Sequence, residues 1–266
     1  LVKLIDAETR FARDDAERAD ILVEKARILE DKVKDAQAAR DAYRQAEALC
    51  PTCLPALFAL EKMALRDNDR EALLDLWPKL AAQTSTPARK VGYALDLARL
   101  LSVDADPASP ARARLGEALA WVQKAALVGA QLERVGREHE RIAYLLADKS
   151  EILRALDFRV AVWERTLEEM GAVDSAAAAP RAASERITRQ VVALRRRQGR
   201  LASELGDHDL AWQYLQAAAL LTPAEPLLAA DLADLAETTE RWAELADLCG
   251  RLAAAQADGP GALAMG

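Results

Sequence analysis

Residues 187–223 read ITRQVVALRRRQGRLASELGDHDLAWQYLQAAALLTP, and their spacing decides the fold class. Ile187, Val191, Leu194, Gln198, Leu201 and Leu205 fall at steps of four, three, four, three and four, which trace one face of a helix. Gly206-Asp207 breaks that helix with a residue tolerant of positive φ. A second helix follows, with Ala211, Tyr214, Leu215, Ala218 and Leu221 on its inner face, and Thr222-Pro223 closes it. Gly199, Ala211 and Ala218 are small enough to let two antiparallel helices approach closely.

This helix–turn–helix of about 34 residues resembles the tetratricopeptide repeat. Gly199, Gly206-Asp207, Ala211, Ala218 and Pro223 carry the resemblance, while Arg195 and Gln198 stand where that repeat usually has large apolar or aromatic residues. The resemblance implies a right-handed α-solenoid of antiparallel helix pairs. It also implies that the first helix of each pair lines a concave surface that grips peptides.

The same design recurs more loosely outward from this unit. One pair runs through Leu22, Ala26 and Leu29, a turn near Lys34-Asp35 that holds one extra residue, then Ala39 to Pro51. A second runs from Leu54 to Leu65, turns at Asp67-Asn68-Asp69 and continues to Ala82, with Pro78 predicting a kink or an early end. A third joins Pro87–Leu101 to Ala111–Val128 across a loop at 104–110. A fourth joins Val135–Arg154 to a helix ending at Gly171, with a turn near Leu156-Asp157. The last joins Leu227–Ala236 to Trp242–Ala254. The expectation is one all-α solenoid over residues 1–258, with an Ala/Ser/Pro-rich linker at 172–183 and a frayed tail at 259–266. Tyr43, Phe58, Trp77, Tyr93, Trp121, Trp163 and Trp242 are expected to pack between helices.

Composition agrees. Hydrophobic residues make up 52 % and charged residues 30 %, and β-branched residues are too scarce for a sheet of any size. No run of about 18 apolar residues lacks charge, so no membrane span is expected. The formal charge of −7 argues against nucleic acid as the main partner. The chain starts at Leu1 without Met, and Leu1, Leu4, Ile5 and Phe11 already have helical spacing. The expectation is an excerpt whose N-terminal end is covered by upstream chain, another domain or a second copy.

Chemistry is sparse. His139 sits in Arg137-Glu138-His139-Glu140-Arg141, which reads as a charged outer helix face, and His208 sits at a turn where packing explains it. Neither has metal-ligand spacing to other donors, no phosphate loop or nucleophile elbow appears, and no cofactor or metal is expected. Cys50-Pro51-Thr52-Cys53 admits two ordinary junction cysteines, a local disulfide, or redox or metal use; Cys53, at a helix start, could be mildly activated. Three cysteines are too few for a disulfide-dependent secreted fold, which leans the expectation towards the cytoplasm.

The sharpest charged feature is a stripe of Arg186, Arg189, Arg196 and Arg200 at steps of three, seven and four. It reads as an anion-binding patch for an acidic segment or carboxyl terminus of a protein or peptide partner. The resemblance places Arg196 and Arg200 towards the groove. The alternative is a solvated face with Glu185–Arg189 and Arg200–Glu204 as four-apart pairs. Asparagines of the carboxylate-clamp kind are lacking, since Asn68 is the only Asn. The function expected is a non-catalytic protein–protein interaction scaffold. The alternative is a recognition or regulatory segment of a larger enzyme or signalling protein whose catalytic domain lies outside this chain.

Overall fold

The computed structural model describes residues 2–103, 111–171 and 178–257, and every regular element among them is helical. The expected loop at 104–110, the first half of the expected linker and the expected frayed tail lie outside the described residues, as does Leu1. The chain packs as two compact units, 1–131 and 132–266. The first holds α1 (Val2–Glu8), α2 (Asp15–Ile28), α3 (Ala36–Leu49), α4 (Leu54–Asp67), α5 (Arg70–Gln83), α6 (Pro87–Ser102) and α7 (Ala111–Leu127). The second holds α8 (Leu132–Leu146), α9 (Lys149–Gly171), α10 (Ala178–Glu204), α11 (His208–Leu221), α12 (Pro226–Thr239) and α13 (Trp242–Ala257). Within each unit a helix packs chiefly on its chain neighbours. The all-α, pair-by-pair architecture read from the periodicity is therefore the one observed.

The turns inside five pairs share one construction. Lys34 (φ 63°), Asn68 (φ 54°), Ala147 (φ 52°), Gly206 (φ 83°) and Glu240 (φ 57°) take a left-handed backbone that ends one helix. In four of them the next residue is an aspartate, Asp35, Asp69, Asp148 or Asp207. Its carboxylate accepts the amide three residues on, from Ala38 (2.9 Å), Ala72 (3.1 Å), Glu151 (3.0 Å) and Leu210 (3.0 Å). That bond satisfies one of the orphan donors of the new helix. The extra residue expected before Asp35 is present as a π-helical turn, Leu29–Val33.

Three expectations are corrected. The fourth turn lies at Ala147-Asp148 and not at Leu156-Asp157; Leu156 is buried mid-helix in α9. Of the two alternatives at Pro78, a kink or an early end, the early end is excluded, since α5 runs on to Gln83. The lost hydrogen bond and ring clash there, about 3 kcal/mol, are outweighed by burial of Leu73, Leu76 and Trp77 before the proline and Leu80 after it. The second half of the expected linker, from Ala178, is the start of α10. Alanine is the best helix former, and Pro180 falls in the first turn, where its missing N–H costs nothing.

Apolar side chains spaced by turns fill the space between pairs. Leu22, Tyr43, Leu57 and Leu80 belong to the core of the first unit, and Leu156, Val191, Leu215 and Leu232 are buried in the second. Tyr43 and Trp77 pack as expected, but Phe58 and Trp242 are exposed. At the N-terminal end Ile5 is buried and Asp6 pairs with Lys25 at 2.6 Å, while Leu4 and Phe11 face solvent.

Candidate functional site

Helix α10 is the centre of the second unit, packed by α9 on one side and α11 on the other. Gly199 makes the second contact possible. A Cβ there would lie 2.6 Å from Leu215 Cγ and 3.3 Å from the Ala211 carbonyl oxygen. Arg195 and Gln198, the departures from the repeat pattern, reach back to α9. Gln198 is fully buried and donates to Asp157 at 2.6 Å, and Arg195 donates to Glu164 at 2.7 Å. The Tyr214 hydroxyl donates to the same Asp157 oxygen at 2.7 Å. Burial, reinforced by that bond, pushes the phenol well above its ordinary pKa.

The arginine stripe divides in two. Arg196 and Arg200 both turn to Asp231 of α12, Arg196 Nε donating to Oδ2 at 2.7 Å and Arg200 Nη2 to Oδ1 at 2.7 Å. Neither expected four-apart pair forms: Arg189 Nε donates to the Glu185 backbone carbonyl at 3.3 Å, and Glu204 pairs with Lys149 at 2.8 Å. Burial of Asp231 pushes its carboxyl up, but the bonds and charges of Arg196 and Arg200 outweigh this and hold it below the usual carboxylate range. A carboxyl whose folded pKa lies below its unfolded value, near 3.9 for Asp, adds stability that is complete above that value. This stability is lost as pH falls through the folded value. Urea midpoints of the wild type should therefore fall more steeply with acid than those of Asp231→Asn, with the difference confined to below about pH 4. Parallel curves would remove Asp231 from the acid response.

Arg186 and Arg189 have no carboxylate partner among the described residues. They line an open cavity of about 540 Å³ with Arg159, Arg197, Gln190, Ala193 and Leu194. Arg159 rises from α9, nine-tenths buried, bonded to Glu140 and to Glu133 at 3.0 Å, with its Nε unpartnered. Arg197 shares Glu140 and donates to the Tyr144 hydroxyl at 2.9 Å. Four arginines thus line one cavity that no carboxylate lines. The neighbouring cavity beside Arg200, about 360 Å³, differs in that Glu204, Asp231 and Asp234 also line it.

The run Arg137–Arg141 is corrected from an outer charged face to a partly buried one. Glu138 and Glu140 are buried, and His139 Nε2 meets the buried Glu151 at 2.6 Å between α8 and α9. Cations from the packed helices replace the water these groups lose: Arg159 and Arg197 on Glu140, Arg154 on Glu151. The one local hint was Gly136, since a Cβ there would lie 2.6 Å from Arg159 Cγ.

The cysteines are unbridged. Cys50 ends α3 and Cys53 precedes α4, where burial, aided by Cys50, pushes its thiol up, which favours an ordinary junction cysteine over an activated one. Among the described residues no group of three or more His, Cys, Asp or Glu converges as metal ligands would, and no helix is long and apolar enough to cross a membrane.

Each unit is a series of helix pairs packed in chain order. No protein-family model matches the chain, and neither does any curated protein. Similar solved structures include a thermophilic TPR protein of Thermus thermophilus, 16 % identical over 82 % of this chain and 98 % of that one, with a TM-score of 0.33. The APC/C hetero-tetramer Cut9–Hcn1 is 11 % identical over 88 % of this chain and 45 % of that one, with a TM-score of 0.30. A de novo designed helical repeat protein is 22 % identical over 90 % and 96 %, with a TM-score of 0.28. The assignment to helix pairs rests on the packing described above.

Proposed function

We propose that the chain is a non-catalytic protein-interaction module whose second unit receives an acidic segment of a partner protein. The observation that carries this reading is the cavity lined by Arg159, Arg186, Arg189 and Arg197 without a carboxylate, in a protein of net charge −7. Arg186 and Arg189 are the half of the stripe left available to a ligand, whereas Arg196 and Arg200 are bonded to Asp231 and hold α12. The exposure of Leu4 and Phe11 supports a second packing surface around α1.

The test is a titration of a fluorescent oligo-glutamate peptide at two salt concentrations. Charge-assisted hydrogen bonds contribute about 1.5–3 kcal/mol each when desolvated. Arg186→Glu/Arg189→Glu should therefore weaken binding more than about tenfold with helix content unchanged. Added salt should weaken the wild type in the same direction. Equal affinity of wild type and double variant at both salts would defeat the reading.

A further inference from the structure

We propose that the group seated in the arginine-lined cavity is a phosphorylated serine or threonine of the partner segment, an inference that rests on the acidic-segment reading above. Four arginines line the cavity, Arg159, Arg186, Arg189 and Arg197. Among the described residues two carboxylates, Glu133 and Glu140, are bonded to them. Both are shared: Glu140 answers Arg159 and Arg197, and Glu133 answers Arg159 and Arg137. The buried Arg159 still keeps an unpartnered Nε. A carboxylate side chain brings one charge and two oxygens. A phosphoryl monoester brings about −1.5 to −2 charge and three acceptor oxygens at neutral pH, so a single group can bond several guanidiniums at once.

The layout of α10 suits such a group. Arg189 and Arg197 lie eight residues apart, about 12 Å along the axis, and the exposed Ala193 between them keeps the floor clear. Arg159 closes the cavity from α9, and Arg186 extends its cationic wall by one turn. Gln190 presents an amide that both donates and accepts, as a bound peptide backbone requires. No aromatic ring lines the cavity for a base to stack on, which argues for a peptide over a nucleotide.

The experiment passes three peptide libraries over the immobilised full chain, each degenerate at the flanks and fixed at the centre as phosphoserine, glutamate or serine. Phosphoserine peptides should be retained about tenfold or more over glutamate peptides. Arg186→Glu/Arg189→Glu should abolish that preference, and so should Ala193→Glu, which sets a tethered carboxylate on the cavity floor. All three positions are exposed, so circular dichroism should be unchanged. Equal retention of phosphoserine and glutamate peptides, both lost in the double variant, would overturn the phosphoryl assignment and leave the acidic-segment reading standing. Retention of neither above serine would overturn both. A phosphoserine preference that survives both variants would place the site elsewhere and overturn the assignment to this cavity.

Discussion

Gly199→Val should destabilise the second unit by about 3 kcal/mol, the upper end of what overpacking a filled interface costs. The first atom that a Cβ meets is Leu215 Cγ, a branch point that is itself buried, and the next is Leu215 Cδ2 at 2.8 Å. Leu215 is held in the packed core and the Ala211 carbonyl oxygen at 3.3 Å is backbone, so α10 and α11 must move apart. The helix-propensity gain on leaving glycine is under about 1 kcal/mol and cannot offset this. Gly250→Val in α13 is the control, because nothing lies within 4 Å of a Cβ built there. Urea midpoints at constant m-value read the difference. If the two substitutions shift the midpoint alike, the α10–α11 approach is not limited by Gly199.

Glu140→Ala should cost about 3–5 kcal/mol, because removing one partner of a buried ion pair leaves the other charge without compensation. Here one carboxylate serves two arginines, Arg159 and Arg197, and both Glu140 and Arg159 are more than nine-tenths buried. The double replacement Glu140→Leu/Arg159→Leu should recover most of the loss, since hydrophobic substitutes of a buried pair are often neutral or better. A thermodynamic cycle over the two positions reads the coupling. Additive losses would show that Glu140 and Arg159 do not act as a pair.

Much of the helix order was legible because apolar spacing is a local property, and each helix buries its stripe on a chain neighbour. The turns are legible where the left-handed residue or the cap after it declares itself. Gly206 and Asn68 favour that backbone and Asp35 caps the helix after Lys34, so the sequence marks those three turns where the structure has them. Ala147 does not favour that backbone, and the turn was assigned instead to Leu156-Asp157, nine residues downstream. The aspartate that follows was the better marker, since the N-cap is a chemical requirement while the turn residue needs only to tolerate its φ. The cationic site was half legible. Arg186, Arg189, Arg196 and Arg200 are visibly spaced on one helix, but which of them is neutralised depends on Asp231, about thirty residues away in α12. The buried glutamates were not legible at all. A run such as Arg137–Arg141 has the same pattern whether water or a neighbouring helix supplies its counterions.

The carboxylate of Asp231 has a consequence for cooperativity. In a stack whose helices meet mainly their chain neighbours, each helix is coupled to the rest chiefly through the helix before it and the helix after it. Arg196 and Arg200 reach past α11 to Asp231, so α12 is fastened directly to α10 as well as to the helix that precedes it. That clasp enlarges the block of chain that must melt at once. It lets α12 share the protection of α10 as well as that of α11.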